Sequence, residues 1–328
     1  MTTRRVILRD GLRAMVALPM MGSMSARAAD FPNRPVTVVY PLAAGGIGDA
    51  SARVSADGLK KYLNGTVVVE NRPGAGGAIG AMFVKQAKPD GYTLLAGGAS
   101  ALVYTPILQD TPYDPLRDFR IIALTDSYGQ VMVTGKASGY TTVKSVVDAA
   151  KAGSKPMLYG SAGAGTSPAL AAQWFAKINN LQMEAVNYKG NAPAIPDVIS
   201  GRIPFMFMSL QTASAHIGSG AMVGLAITTT TRLKEFPNLP TFSEAGFADF
   251  NKLDWAQWNA VFAPVGVPRD EMQALSEALQ KTVSDPEFQT RYIRIGSSPY
   301  RPMTLDQANE TYRTSYAQWQ AAIKELSK

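Results

Sequence analysis

YPLAAGGIGD at residues 40–49 and YGSAGAGTSP at residues 159–168 are glycine-rich turns, each leading from a short apolar run into a run with helical spacing. At the start of a helix, several backbone N–H groups have no acceptor within the helix, and the helix dipole favours negative charge there. More than a hundred residues separate the two turns. The sequence therefore predicts one anion-binding turn in each of two lobes, with an anionic ligand held between them.

Short apolar runs alternate with helical stretches along the rest of the chain, which is typical of α/β folds with parallel sheets. A chain of 328 residues is long enough for two such lobes. The predicted strands are 36–40, 66–70, 92–97, 121–125, 131–135, 157–161, 184–188, 205–209, 224–228 and 258–264.

The helix that follows each turn has recognisable end signals. Asp49 is predicted to cap the first helix, and Asn64 is predicted to end it. Either Thr166 or Ser167 is predicted to cap the second helix, with Pro168 at its first helical position. Each turn should therefore lead into a helix whose first N–H groups are free.

The chain is predicted to cross between the lobes twice, near residues 127–130 and near residues 250–258. These crossings give a first lobe of residues 29–128 and 258–328, and a second lobe of residues 129–257. Two crossings form a hinge rather than a tether, so we expect the lobes to rotate against each other.

The amino terminus has the pattern of a targeting segment. Arg4 and Arg5 are followed by a weakly apolar core and by the small residues Ala26 and Ala28, so residues 1–28 are predicted to be a signal peptide that is cleaved. The paired arginines favour twin-arginine export, and the general secretory route remains an alternative. Because the chain has no cysteine, we expect a periplasmic protein without a lipid anchor.

Composition argues against several other classes of protein. The net charge of +7 falls to +3 without the leader, which carries five arginines and one aspartate. This excess is too small to indicate a nucleic-acid partner. The sequence has no apolar run of about 18 residues, the length that a membrane helix requires.

The sequence also lacks the patterns of a catalytic, metal or cofactor site. His216 is the only histidine and there is no cysteine, so neither a catalytic triad nor a metal site is indicated. PGAGGAIG at residues 73–80 lacks the third glycine of a dinucleotide loop, and GSAGAGTS lacks the lysine of a P-loop. We therefore expect a binding protein that needs no cofactor, with an exported carboxylate-processing enzyme as the alternative.

Seven motifs in order resemble the extracytoplasmic solute receptors of tripartite tricarboxylate transporters, the Bug or TctC-like family. They are YPLAAGGIGD, VVVENRPGAGGAIGA (67–81), KPDGYTLLAGG (88–98), PYDPLRDF (112–119), YGSAGAGTS, NYKGNAPAIPDVISGRI (187–203) and FAPVGVP (262–268). The resemblance implies a two-lobed periplasmic binding protein of the type II-like, Venus-flytrap kind. Such a receptor closes as a monomer on a small carboxylate and delivers it to the membrane subunits of the transporter; signalling to a sensor kinase is the alternative.

The resemblance also implies a ligand site. In the first lobe it selects the first turn and the loop after the third strand: Leu42, Ala43, Ala44, Gly45, Gly46, Ile47, Gly48, Asp49, Gly97, Gly98, Ala99 and Ser100. In the second lobe it selects Ser161, Ala162, Gly163, Gly165, Thr166 and Ser167, together with Tyr188 and Ser209. The backbone N–H groups of Gly45, Gly46, Gly163 and Gly165 are expected to bind the carboxylate oxygens.

Two departures from the family pattern bear on the ligand. Pro168 stands where many members have a histidine, and Ser209 stands where many have an aspartate that could pair with a ligand ammonium. We therefore predict a dicarboxylate or an aromatic carboxylate without an α-amino group. Tyr128 and Trp258 could line the cleft or belong to the core.

Overall fold

The structure is a computed structural model that describes residues 31–163, 166–188, 190–233, 236–253, 255 and 257–326. The predicted signal peptide and Gly165 lie outside the described residues. None of the described helices is both long enough and apolar enough to cross a membrane.

Strands and helices alternate along the described chain. In chain order the strands are β1 (Val36–Tyr40), β2 (Val67–Asn71), β3 (Thr93–Gly98), β4 (Phe119–Tyr128), β5 (Gln130–Gly135), β6 (Met157–Ser161), β7 (Met183–Asn187), β8 (Phe205–Ser209), β9 (Met222–Ile227), β10 (Gln257–Pro264) and β11 (Ser298–Pro299). The helices are α1 (Ile47–Leu63), α2 (Ala78–Lys85), α3 (Thr105–Leu108), α4 (Val143–Ala152), α5 (Ser167–Ile178), α6 (Ile195–Ile199), α7 (Leu210–Gly218), α8 (Arg269–Ser284), α9 (Pro286–Arg294) and α10 (Leu305–Leu326). Asn64 ends α1 in the left-handed conformation, as predicted.

Two sheets form the cores of two lobes. The first has the order β11-β4-β10-β3-β1-β2, and the second has the order β7-β6-β8-β5-β9. The prediction of parallel sheets is wrong for β10 and β11 in the first sheet and for β5 in the second. β10 runs antiparallel to β3 and β4, β11 to β4, and β5 to β8 and β9. β5 and β10 each follow a crossing from the other lobe, so each enters its sheet at the carboxyl edge of the parallel strands and must run the opposite way.

The first crossing is a single residue, Gly129, between β4 and β5, and the second leads into β10 at Gln257. These positions agree with a hinge of two crossings. The lobe boundaries after residues 128 and 257 stay predictions, because strand membership alone does not define where a rigid body begins.

Aromatic side chains join the lobes behind the hinge. Trp255 is fully buried, stacks on Phe250 with ring centroids 5.1 Å apart, and meets Trp319 of α10 edge-on at 4.7 Å. Trp319 in turn meets Tyr104, which follows β3, at 4.7 Å. Phe250 stacks at 5.7 Å on Phe207 of β8. This aromatic ladder makes one continuous apolar core from the first sheet to the second.

Helix α10 also contacts both lobes. It packs on β4 of the first sheet, and the Lys177 ammonium of α5 in the second lobe donates to the carbonyl of Glu325. The helix therefore spans the back of the hinge, although the sequence assigned residues 258–328 to the first lobe alone.

Replacing Trp255 by alanine should remove the central ring of the aromatic ladder and leave a cavity. We expect the free energy of unfolding to fall by about 3–5 kcal/mol, measured by denaturant unfolding followed by circular dichroism. Phe83→Ala is the control, because Phe83 is 37% exposed, and it should cost no more than about 1 kcal/mol. Equal losses in the two variants would contradict the role given to the ladder.

Candidate functional site

A cavity of about 330 Å³ lies between the lobes, where the two glycine-rich turns meet. A volume of this size is at the lower end of the range for small-molecule sites, about 300–1,000 Å³. The first lobe lines it with Gly45, Gly46, Ile47 and Tyr128, and Gln257 lines it at the second crossing. The second lobe lines it with Gln130, Ala162, Thr166, Ser167, Pro168, Gly190, Asn191, Ser209, Gln211 and Thr212.

Three helices begin at the wall of this cavity. Their N-cap residues are Gly46 for α1, Thr166 for α5 and Ser209 for α7, and all three line the cavity. The first backbone bonds of α1 and α5 run from Ala50 N–H to the Gly46 carbonyl and from Leu170 N–H to the Thr166 carbonyl. The earlier N–H groups therefore have no acceptor within their helices. Three positive helix ends converge on one space, which suits an anion.

The side chains that line the cavity are uncharged throughout the described part of the chain. Its polar side chains are the hydroxyl residues Tyr128, Thr166, Ser167, Ser209 and Thr212 and the amide residues Gln130, Asn191, Gln211 and Gln257. Within the same described ranges, no three histidine, aspartate or glutamate residues come together as a metal site. An anion in this cavity would therefore be bound by neutral donors and helix ends rather than by a fixed cation.

Asp49 does not cap α1, contrary to the sequence prediction. Gly46 is the N-cap, and Asp49 is the third helical residue. Its carboxylate accepts from the Gly45 N–H at 3.1 Å, from Asn71 Nδ2 at 2.8 Å and from the Arg53 guanidinium at 3.1 and 3.2 Å. A carboxylate in a helix's first turn is favoured by the dipole and can reach back to the N–H before the N-cap. The Gly45 N–H, which was predicted to donate to the ligand, thus donates to the Asp49 carboxylate in this structure.

These contacts set the ionisation of Asp49. Burial alone would raise its pKa, but the hydrogen bonds from Asn71, Arg53 and Gly45 outweigh burial and hold the pKa below its ordinary value. Asp49 is therefore a firmly ionised group that fixes the first turn to α1 and β2.

The second turn is also closed by internal hydrogen bonds. Gly163 has φ of +119°, its N–H donates to Ser161 Oγ at 3.2 Å, and its carbonyl accepts from Thr166 Oγ1 at 2.8 Å. The N–H of Gly163 is therefore used within the turn rather than left free. Thr166 is the N-cap, as one of the two predicted alternatives, but Ser167 is the first helical residue and Pro168 the second.

The structure brings seven of the predicted residues to the cavity wall: Gly45, Gly46, Ile47, Ala162, Thr166, Ser167 and Ser209. The remaining described ones stand behind the wall or beside it. In the first lobe these are Leu42, Ala43, Ala44, Gly48, Asp49, Gly97, Gly98, Ala99 and Ser100, of which Gly97 and Gly98 end β3 and Ser100 begins the helical turn after it. In the second lobe they are Ser161, Gly163 and Tyr188. Contact of any of these residues with ligand stays a prediction.

Two predicted side chains have partners within the second lobe. Tyr188 donates its hydroxyl to Asp197 at 2.7 Å, and burial together with that carboxylate raises the pKa of Tyr188 to about 12. Ser209 Oγ accepts from the Thr212 N–H at 3.3 Å and lies 2.8 Å from Thr212 Oγ1. The Ser209 hydroxyl therefore caps the start of α7 and is not a free group at the cavity wall.

Sequence reasoning missed several residues of the wall. Gln130 and Gln257 lie next to the two crossings, and the crossings lie at the floor of the cleft. The nearness of these two residues to the predicted crossings was the signal that could have identified them as wall residues. Tyr128 lines the cavity, whereas Trp258 is buried in the core and donates to Ser315 Oγ at 3.1 Å.

Comparison with known proteins gives consistent matches. The family model "Tripartite tricarboxylate transporter family receptor" matches residues 51–327. A UPF0065 protein of Agrobacterium vitis, from the TAR-I ttuE-ttuC' intergenic region, is 32% identical over 288 residues, which cover 86% of this chain and 82% of the relative.

Solved structures agree with these matches. The periplasmic binding protein BugD superposes with a TM-score of 0.78 at 29% identity, covering 90% of this chain and 99% of BugD. The R. palustris protein Rpa4515, solved with adipate, superposes with a TM-score of 0.79 at 26% identity, covering 90% of this chain and 98% of that one. The expected two-lobed periplasmic binding protein fold is confirmed.

Asp49→Ala should loosen the first turn, because it leaves the Gly45 N–H and Asn71 Nδ2 without their acceptor. We expect the free energy of unfolding to fall by about 1–3 kcal/mol and amide exchange at Gly45 to quicken, measured by hydrogen exchange. Asp148→Ala is the matched control, since Asp148 forms an exposed i,i+4 pair with Lys144 and should cost at most about 0.5 kcal/mol.

The same residue predicts a dependence on pH. The pKa of Asp49 is lower in the folded protein, so its contribution is present above the ordinary pKa of about 4 and is lost as the pH falls through the lowered value. Asp49→Ala should therefore lose less stability than the unmodified protein on acidification below about pH 4. Parallel stability curves in that range would contradict the assignment.

Proposed function

The chain belongs to the family of tripartite tricarboxylate transporter receptors and is a periplasmic solute-binding receptor of that family. We propose that it captures a small carboxylate between its lobes and delivers it to the membrane subunits of such a transporter. The observation that carries this proposal is the convergence of three helix starts on one cavity between the lobes, where the described side chains are uncharged.

The chemistry of the cavity favours an anion over a neutral or cationic ligand. The N–H groups of Ile47 in α1 and of Ser167 in α5 are donors at the wall, and a hydrogen bond to a charged group contributes roughly 1.5–3 kcal/mol. Several such bonds offset an association cost of about 4–15 kcal/mol and leave an affinity near the micromolar range. Because donors come from both lobes, a ligand with acceptors at both ends is favoured.

The uncharged wall also bears on the class of acid. No carboxylate of the described residues lines the cavity, so a ligand ammonium would be buried beside them without a counter-charge, which is costly. We therefore propose a dicarboxylate or an aromatic carboxylate without an α-amino group. The solved relative with adipate, at 26% identity, supports the dicarboxylate choice.

The two crossings supply the motion that capture requires. A ligand that touches both lobes binds the closed form better and shifts the population toward it. Delivery then needs only the reverse opening at the membrane subunits, with no catalytic step. We propose that the receptor acts as a monomer in the periplasm.

Gly46→Val tests the site directly. The backbone at Gly46 is extended, with φ of −85° and ψ of 169°, and a Cβ there meets no atom within 4 Å. Valine should therefore fold but occupy the space beside the first helix start, weakening carboxylate binding at least about tenfold, or roughly 1.4 kcal/mol. The measurement is calorimetry with adipate, succinate and benzoate, with aspartate, glutamate and glucose as comparison ligands.

Gly218→Val is the control for that variant, because a Cβ at Gly218 also meets no atom within 4 Å and the residue lies at the far end of α7. It should bind like the unmodified protein. The proposal fails if aspartate, glutamate or glucose binds more tightly than every acid in the panel, or if both glycine variants bind normally.

Export supplies a separate prediction. If residues 1–28 form the leader, intact-mass measurement of the periplasmic protein should give a chain that begins at Ala29. Replacing Arg4 and Arg5 by lysine should block export through the twin-arginine route and leave general secretory export working. A periplasmic protein that retains residues 1–28 would contradict the cleavage site.

A further inference from the structure

One side chain in the cavity wall has an unused acceptor. Gln130 is 1% exposed, and its Oε1 is buried without a hydrogen-bond partner among the described residues. A buried polar atom without a partner is destabilising, and most such atoms in folded proteins are paired. Since Gln130 lines the proposed ligand cavity, the missing donor can come from the ligand.

The rest of Gln130 is held in place. Its N–H donates to Thr228 Oγ1 at 3.0 Å and its carbonyl accepts from the Thr228 N–H at 2.9 Å. At the other end of the side chain, Nε2 donates to Ser167 Oγ, at the first turn of α5. In this arrangement the backbone and the amide nitrogen are both bound, and Oε1 is the atom of the amide that has no partner among the described residues.

Asn191 has a second unused acceptor in the same wall, its buried Oδ1. Unlike Gln130, Asn191 is only half-buried, so a small rotation brings its amide to water. Gln130 Oε1 is therefore the acceptor in the wall that most needs a donor from the ligand.

The donor must be neutral. An ammonium would satisfy Oε1 but would lack a counter-charge, because no carboxylate of the described residues lines the cavity. A hydroxyl group supplies one hydrogen, carries no charge, and leaves the ligand's carboxylates for the helix starts.

We propose that the Oε1 of Gln130 makes this receptor selective for carboxylates that carry a hydroxyl group, which donates its hydrogen to that oxygen. The inference rests on the proposed carboxylate-binding function and narrows its ligand class. A site built to accept from a ligand hydroxyl discriminates against the analogue that lacks one, because the acceptor is then left buried and unpaired.

The test compares acids that differ by one hydroxyl group. Calorimetry of the full mature chain with malate against succinate, and with 3-hydroxybenzoate against benzoate, should give at least about tenfold tighter binding of the hydroxylated member in one pair or both. Equal binding within both pairs overturns the inference and leaves the proposed function standing. If none of the four acids nor adipate binds, the proposed function fails instead.

Variants then identify the residue responsible. Gln130→Met keeps the length of the side chain but removes the acceptor, so the preference within the pair should fall to about twofold or less. Gln280→Met is the matched control. Gln280 makes the same kind of amide-to-serine hydrogen bond, to Ser276 Oγ at 3.0 Å, on α8 away from the cavity. This variant should keep the full preference for the hydroxylated acid.

A second variant covers the case in which Gln130→Met does not fold. Ser167→Ala removes the partner of Nε2, frees the amide to turn, and should also reduce the preference. If Gln130→Met still prefers the hydroxylated acid, another group causes the preference and the role of Gln130 is overturned. If Gln130→Met does not fold, the same result in Ser167→Ala leads to the same conclusion. Tighter binding of the acids without a hydroxyl group would mean that the amide presents its nitrogen, and would overturn it as well.

Discussion

The direction of the parallel strands determines most of this structure. In each lobe a helix must begin near the carboxyl end of the strand before it, and its first N–H groups have no acceptor within the helix. The carboxyl edges of the two sheets face each other across the hinge, so the starts of α1, α5 and α7 meet at one cavity. The proposed binding site is thus a consequence of the fold's connectivity.

The hinge is constrained on its opposite side. The aromatic ladder through Trp255 and Trp319 makes the lobes share one core, and α10 contacts both. Stacked rings can slide over short distances while they stay buried, but pulling them apart would expose a large apolar area. The lobes are therefore expected to rotate about the ladder, with the largest displacement at the cleft.

Local signals in the sequence were sufficient for strands β1–β10 and placed seven residues at the cavity wall. The glycine-rich turns, Asn64 at the end of α1 and Thr166 at the start of α5 depend on residues within a few positions of each other. The errors came from contacts that are distant in sequence. The sequence predicted Asp49 as the cap of α1, but in the folded chain its carboxylate binds Arg53 and Asn71. The antiparallel direction of β5 and β10 follows from the crossings between the lobes. Gln130 carries no motif, so only the folded chain reveals its orphaned acceptor.

Among the residues that the structure describes, no cationic side chain lines the cavity, and this fits a protein that must also release its ligand. A buried arginine would strengthen anion binding, but it would itself need a partner whenever the site is empty. Helix starts avoid this requirement, because their N–H groups can return to water when the lobes open. The Asp49–Arg53 ion pair is directed into the first turn, where it holds the backbone in shape. In the proposed site, charge therefore organises the turn, and selectivity is left to hydrogen bonds between the ligand and neutral groups such as Gln130.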